Sequence, residues 1–219
     1  GSTTVATGKA ACKADLQKEV DLPLEPNIPL VGIVSRLVEQ KGIDLVIEAI
    51  QSWSGPPVQW TVLGSGDERY ETALRELAQN LPNVSVYIGF HVGLAQKIYA
   101  GSDCFLMPSC FEPCGLSQLI ALRYGSIPIV RGVGGLRDTV IDVRQNPETG
   151  TGFVFDDYDA TVLNETLLAA TVLYREADEW ELIIQQAMAS SFSWTESATT
   201  YRALYESLMT SEAQEMCHG

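Results

Sequence analysis

The sequence has no long apolar run, and it is poor in positive charge. None of its 219 residues belongs to an apolar stretch of the roughly 20 residues that cross a bilayer, so we expect no membrane segment. Lysine and arginine total 14 against 28 acidic residues, a formal net charge of −14. Nucleic acids and anionic lipid surfaces are bound by clustered basic residues, so neither partner is expected.

Histidine is scarce, and the cysteines form no metal-binding pattern. There are two histidines and five cysteines without a Cys-x-x-Cys pair, so we expect no metal site, no cofactor and no disulfide framework. Free cysteines are typical of a reduced, intracellular protein. Cys110 and Cys114 lie close together, and Cys114 precedes a predicted helix, where a thiolate is favoured. A redox switch there is the alternative to two ordinary thiols.

Apolar runs alternate with stretches of helical periodicity. The runs predict strands at 29–35, 58–63, 84–88, 104–107, 126–130 and 152–155. The periodic stretches predict helices at 9–20, 43–50, 67–81, 94–100, 115–125, 136–143, 160–176, 178–190 and 195–210. The alternation predicts an α/β fold: a three-layer, Rossmann-like parallel sheet with helices on both faces.

The ends of the chain lack these patterns. Residues 1–8 are small and polar, which predicts a disordered lead-in, and Gly1-Ser2 is typical of an expression tag. We therefore expect the natural chain to be longer. One domain is predicted over 9–210, followed by a tail at 211–219.

A strand, a tight loop and a helix follow one another between Phe105 and Gly125. The amides of the first helical residues lack partners within the helix and, with the helix dipole, favour an anion such as phosphate. The predicted amides are those of Gly115, Leu116 and Ser117. Glu112 is the one acid in the loop. It either holds sugar hydroxyls and balances positive charge in a transition state, or it is an ordinary loop residue.

Positive charge and an aromatic ring are predicted at the same edge of the sheet. Arg36 and Lys41 follow the first strand and would compensate a pyrophosphate, unless they are ordinary solvated loop residues. Phe90 follows the third strand, where it stacks on a base or packs in the core. The glycine pair Gly64 and Gly66 lacks the third glycine of a nicotinamide fingerprint, because Arg69 stands there. A nicotinamide-dependent oxidoreductase is therefore disfavoured.

Several ordered motifs together closely resemble the starch and glycogen synthases of bacteria and plastids. They are Ser35-Arg-Leu-Val-Glu-Gln-Lys-Gly42, Pro108-Ser-Cys-Phe-Glu-Pro-Cys-Gly-Leu-Ser-Gln118, Arg123-Tyr-Gly-Ser-Ile-Pro128, Gly134-Gly-Leu-Arg-Asp-Thr-Val140 and Phe192-Ser-Trp194. The resemblance runs from about Lys9 to about Leu208. It implies the C-terminal, nucleotide-sugar-binding half of a two-domain retaining glycosyltransferase.

What this resemblance implies is a glycosyltransferase domain that binds ADP-glucose or ADP. Glucose would pass to the non-reducing end of an α-1,4-glucan acceptor, in a plastid stroma or a bacterial cytoplasm. The missing N-terminal domain of the same enzyme would be a partner, so the chain alone is expected to be inactive. The alternative is a non-catalytic module that binds nucleotide or glucan in regulation or assembly.

The resemblance also assigns roles to residues. It implies that Arg36 and Lys41 hold the diphosphate and that Glu112, the active-site acid, holds the donor glucose. The residues implied to contact the nucleotide sugar are Phe90 on the adenine, Cys114, Gly115, Leu116 and Ser117 at the phosphates, and Gly134, Gly135 and Leu136 on the sugar side.

Two positions depart from the family pattern. Cys110 stands where many members have arginine. Ile120 stands where related transferases often place a second glutamate, which favours the starch and glycogen synthase branch.

Overall fold

A parallel β-sheet lies at the centre of the protein, whose computed structural model describes residues 2–216. The strands are β1 (Leu30–Val34), β2 (Gln59–Gly64), β3 (Val84–Ile88), β4 (Cys104–Met107), β5 (Ile127–Arg131) and β6 (Phe153–Phe155). The helices are α1 (Ser2–Glu19), α2 (Ile43–Ser52), α3 (Glu68–Asn80), α4 (Val92–Gly101), α5 (Ser117–Tyr124), α6 (Gly134–Thr139), α7 (Ala160–Leu173), α8 (Ala177–Ala189) and α9 (Trp194–Met216). A short 3-10 turn, Glu39–Lys41, precedes α2.

The strand order across the sheet is β3-β2-β1-β4-β5-β6, and every neighbouring pair is parallel. The order reverses between β1 and β4, where Val31 pairs with Cys104. In a sheet of this kind ligands bind beyond the carboxyl ends of the strands, at the point of reversal. The predicted Rossmann-like α/β class is confirmed.

Both faces of the sheet are buried, as a parallel sheet requires. Successive side chains of a strand point to opposite faces, so β4 contributes to two separate cores. Cys104 and Leu106 pack in the core that includes residues of α2, α3 and α7, whereas Phe105 and Met107 pack with residues of α1 and α4. Phe105 is fully buried, which shows how completely helices cover the sheet at this strand.

The first helix is longer than the sequence predicts. Residues 2–8, assigned above to a disordered lead-in, lie in α1 instead, and Gly1 is outside the described residues. The helix is anchored farther along, where the Lys13 ammonium is 2.7 Å from Asp103 and Leu16 is fully buried. Helix propagation from such an anchor costs little per residue, and small residues permit it.

The chain divides into two compact units, with the division in the sequence between Ala189 and Ser190. The second unit contains α9, which extends through Met216 into the predicted tail, and 217–219 lie outside the described residues. Within α9, Arg202 and Glu206 form an exposed ion pair one turn apart. In the part of the chain that the structure describes, no helix has the length and apolarity to span a membrane.

Candidate functional site

A cleft of about 210 Å³ lies where β1 and β4 end side by side. Its walls come from the ends of both strands, from the segment after β1 and from the start of α5. The structure therefore brings together three of the predicted site residues, Arg36, Lys41 and Ser117.

Lys41 and Glu112 form an ion pair beside this cleft. The Lys41 Nζ is 2.5 Å from Glu112 Oε2, and the Glu112 side chain is only 8% exposed. Ser109, itself buried, donates its hydroxyl to the same carboxylate oxygen at 3.3 Å. A carboxylate this well buried needs such partners, and both come from segments at the edge of the sheet. An anion that binds Lys41 must share the ammonium with Glu112.

Arg36 is the exposed cation of the cleft. Its side chain makes no hydrogen bond or ion pair with any residue of the described range 2–216. Its backbone is fixed, because Val38 N donates to Arg36 O at 3.0 Å. An arginine with a fixed backbone and an unpaired guanidinium is suited to a phosphate, because a guanidinium can bind two phosphate oxygens at once.

The start of α5 differs from the prediction, because the helix begins at Ser117 and not at Gly115. Gly115 has a φ of +74°, a left-handed conformation outside any α-helix. The Gln118 side chain turns back and donates to the carbonyls of Cys114 and Gly115 at 3.1 and 3.0 Å. The chain before the helix is therefore a tight, side-chain-braced turn. Leu116, at the N-cap position, has its side chain 67% exposed.

The loop that carries Glu112 is held on both sides by residues that the sequence analysis missed. From the β1 side, Gln40 accepts from Cys110 N at 2.9 Å and donates its side-chain amide to Phe111 O at 3.2 Å. From the other side, Arg131 donates to Cys110 O at 2.9 Å and to Ser109 O at 3.4 Å. Arg131 ends β5 at the same edge, so the parallel topology was the signal that could have identified it.

Gly134 and Gly135 pack directly against this loop. A Cβ on Gly134 would come within 2.2 Å of Glu112 O, and one on Gly135 within 2.0 Å of Cys114 O. The Gly135 amide donates to Glu112 O at 3.2 Å. Leu136 is fully buried in the core, and its amide donates to Val133 O at 3.1 Å. In the structure, the glycines of this motif give the loop room to approach α6.

An apolar groove of about 480 Å³ continues from the cleft toward β3. The two share Val34, Ser35 and Arg36. Phe90 lines the groove with 89% of its side chain exposed, so it is not a core residue. Tyr99 also lines the groove. Burial raises the pKa of its hydroxyl, although a hydrogen bond with Ser117 acts to lower it.

Gly64, the last residue of β2, also borders this groove. A Cβ there would meet Ser35 O at 1.9 Å, and one on Gly66 would meet Leu37 O at 2.2 Å. Both glycines are therefore required where two backbone segments approach closely.

Cys110 and Cys114 have free thiols and are both exposed. The Cys114 Sγ lies 3.6 Å from Gly115 O, a weak contact within its own turn. Among residues 2–216, histidine, cysteine and acidic side chains form no group of three that could hold a metal ion.

These features define the class of protein. A parallel sheet of this strand order, with a cation-lined cleft at the reversal point and an apolar groove beside it, is a Rossmann-like α/β domain. The chain belongs to the group 1 glycosyl transferases, a family whose pattern matches residues 16–180.

Individual relatives are similar over nearly the whole chain. Glycogen synthase 2 of Geobacter sulfurreducens is 48% identical over 93% of this chain. A glycogen synthase of Exiguobacterium sibiricum is 50% identical over 92%. In both comparisons the chain spans only 42% of the relative's length.

A solved structure supports the same family. The catalytic domain of starch synthase IV from Arabidopsis thaliana, bound to ADP and acarbose, superposes with a TM-score of 0.84 at 37% identity. The match covers 92% of this chain and 43% of that one. The predicted resemblance to the starch and glycogen synthases is confirmed.

Proposed function

We propose that this chain is the ADP-glucose-binding domain of a glucan synthase that transfers glucose, with retention, to the non-reducing end of an α-1,4-glucan. The observation that carries the proposal is the partly buried Lys41–Glu112 pair beside the exposed Arg36, at the reversal point of the sheet. Two cations suit a diphosphate and one carboxylate suits sugar hydroxyls. The similarity to glycogen synthases and to an ADP-bound starch synthase supports the same ligand.

The diphosphate is assigned to Arg36 and Lys41, whose charge would also stabilise the departing nucleoside diphosphate. The amides of Gly115, Leu116 and Ser117 are assigned to the phosphates, since Ser117 lines the cleft and the other two precede it in the turn. Cys114 contributes backbone to this turn.

The base and the sugar are assigned to different parts of the site. Phe90 offers an exposed ring to the adenine in the apolar groove. Glu112 takes the glucose hydroxyls, and Gly134 and Gly135, which precede Leu136, border the same loop.

Catalysis in this proposal needs a second domain. Both the cleft and the groove are open to solvent at the edge of the sheet, whereas glycosyl transfer requires that water be excluded and the acceptor positioned. The chain spans 42% of the length of its relatives, so the remainder is proposed to close the site. Relatives from bacteria and from a plant leave both a bacterial cytoplasm and a plastid stroma as the proposed location.

Calorimetric titration tests the proposal. The chain should bind ADP more tightly than UDP, and Arg36→Ala should weaken ADP by about tenfold or more, since hydrogen bonds to charged groups contribute roughly 1.5–3 kcal/mol. Arg75→Ala is the matched control, because Arg75 is an exposed arginine paired with Glu71 on α3, away from the cleft. Absence of ADP binding, or equal weakening by both variants, would contradict the proposal.

A further inference from the structure

Arg131 lies outside the cleft, yet it is bonded to the loop that carries Glu112. Its Nη1 donates to the carbonyls of Ser109 and Cys110, and its Nε donates to Asp156 O at 2.9 Å. The guanidinium also lies over the ring of Tyr158, 5.4 Å from the centroid. One side chain therefore joins the segment after β6 to the loop after β4.

The contact continues from Arg131 to the carboxylate. The Ser109 whose carbonyl accepts from Arg131 donates its hydroxyl to Glu112 Oε2. The same carboxylate oxygen is paired with Lys41. The residues Arg131, Ser109, Glu112 and Lys41 thus form a continuous series of bonded groups.

The far end of Arg131 is itself anchored. The Tyr158 hydroxyl donates to Asp44 Oδ1 at 2.6 Å, and Asp44 belongs to the first turn of α2. Burial, followed by the bond to Asp44, raises the pKa of Tyr158, so the phenol keeps its proton at neutral pH. The ring that lies against the guanidinium is therefore fixed between β6 and α2.

We propose that Arg131 is a positioning residue for the donor sugar: it holds the backbone of Ser109 and Cys110 so that Glu112 stays beside Lys41. Arg131 touches neither cation of the cleft and is not required for the diphosphate. Its loss should therefore affect the sugar and spare the nucleotide. The inference rests on the proposed function, because the sugar is the ligand that Glu112 is proposed to hold.

The test compares Arg131→Ala and Arg131→Lys with the unchanged chain in two measurements. In titrations of Arg131→Ala, the affinity for ADP should stay within about twofold of that of the unchanged chain. The ratio of ADP-glucose affinity to ADP affinity should fall about tenfold. Arg131→Lys should recover part of this ratio. Hydrogen exchange of the Cys110 amide, bonded to Gln40 O, should accelerate in Arg131→Ala. Arg144→Ala is the control, because Arg144 likewise bonds a carbonyl, Val154 O, but does not contact this loop.

The outcomes separate the inference from the proposed function. If the two affinities fall equally, or if exchange of the loop is unchanged, Arg131 does not position Glu112. If the unchanged chain binds no ADP, the proposed function fails, and the exchange measurement alone decides whether Arg131 holds the loop.

Discussion

The Lys41–Glu112 ion pair links the proposed diphosphate site to the proposed sugar site. The Glu112 carboxylate is buried, and its partners are the Lys41 ammonium and the Ser109 hydroxyl. When a diphosphate reaches Lys41, it competes with Glu112 for the ammonium. Binding of the anion therefore loosens the carboxylate, which then needs other donors, and sugar hydroxyls are of the right kind.

Glu112→Gln should separate the two effects. Without the competing charge, Lys41 is free for the diphosphate, so we expect ADP to bind about fivefold more tightly, a gain of roughly 1 kcal/mol. ADP-glucose should gain less or bind more weakly, because an amide is a poorer acceptor for hydroxyls than a carboxylate. Calorimetry with both ligands measures this difference. Glu71→Gln is the control, because Glu71 is a half-buried acid of α3 that is paired with Arg75. Weaker ADP binding by Glu112→Gln would refute the competition.

The charge of Lys9, at the opposite end of the strands, should make the stability of the fold depend on pH. Its ammonium donates to Ala100 O and Ser102 O at 2.8 and 2.7 Å. Burial lowers its pKa from 10.5 to about 8, although the negative charge of Asp103 opposes the shift. Between these two pH values the unfolded chain holds the proton and the folded chain does not, so the free energy of unfolding should rise with pH.

Urea denaturation between pH 8 and pH 10.5 should detect this rise. This range lies between the pKa of Lys9 in the folded chain and its ordinary value. In Lys9→Met the rise should be smaller than in the unchanged chain, since the group responsible for it is gone. Lys18→Met removes an exposed lysine of the same helix and should leave the slope unchanged. If the free energy of unfolding rises equally with pH in all three proteins, folding does not lower the pKa of Lys9.

At the scale of elements, the loop between β4 and α5 is the part of the fold that the site depends on. It contains two prolines and the left-handed Gly115 ahead of α5, and α6 approaches it through a glycine pair. Neighbouring segments bond its backbone carbonyls and amides, so a short irregular loop acquires a defined shape.

Gly135→Ala should disturb this arrangement. Its Cβ would fall 2.0 Å from the backbone oxygen of Cys114, which cannot move without displacing the loop, so we expect a loss of roughly 1–3 kcal/mol in the free energy of unfolding. Gly93→Ala is the control, because a Cβ there meets only the His91 ring at ordinary distance, 3.4 Å, and alanine is the better helix former. Urea denaturation measures both, and equal stabilities would contradict the packing argument.

The elements of the sheet could be predicted because their signal is local. The strand at 104–107 and the helix after Gly42 follow from apolar runs and from residues such as Ile43, Val46 and Ile50 at helical spacing. The start of α5 could not, because Gln118 competes with the helix by bonding the carbonyls before it. Arg131 was missed for a related reason: its partners are backbone atoms 21 and 22 residues away.

The predicted site could likewise be derived from the sequence only in part, because some of its contacts join residues far apart in the chain. Arg36, Lys41 and Ser117 meet in one cleft, as the topology of a parallel sheet requires once strand order is known. That Lys41 pairs with Glu112, and that Leu136 is buried, depends on side-chain packing that no spacing in the sequence reveals.

At the scale of the whole molecule, the relatives are much longer than this chain. The glycogen synthases that match this chain are more than twice its length, and the match leaves most of each relative uncovered. The proposed donor site is open on the side beyond the strand ends, where Arg36, Phe90 and Leu116 are exposed. An open half-site can bind a nucleotide but cannot shield a glycosyl transfer from water.

The isolated chain should therefore transfer no radiolabelled glucose from ADP-glucose to glycogen, even when it binds ADP. Fused to the part of Geobacter sulfurreducens glycogen synthase 2 that it does not match, it should gain transfer, because the second domain would supply the acceptor wall and exclude water. The same fusion with Glu112→Ala should bind ADP but incorporate little label, which controls for activity of the added part. Transfer by the isolated chain would refute the need for a second domain, and full activity of the Glu112→Ala fusion would remove Glu112 from the proposed site.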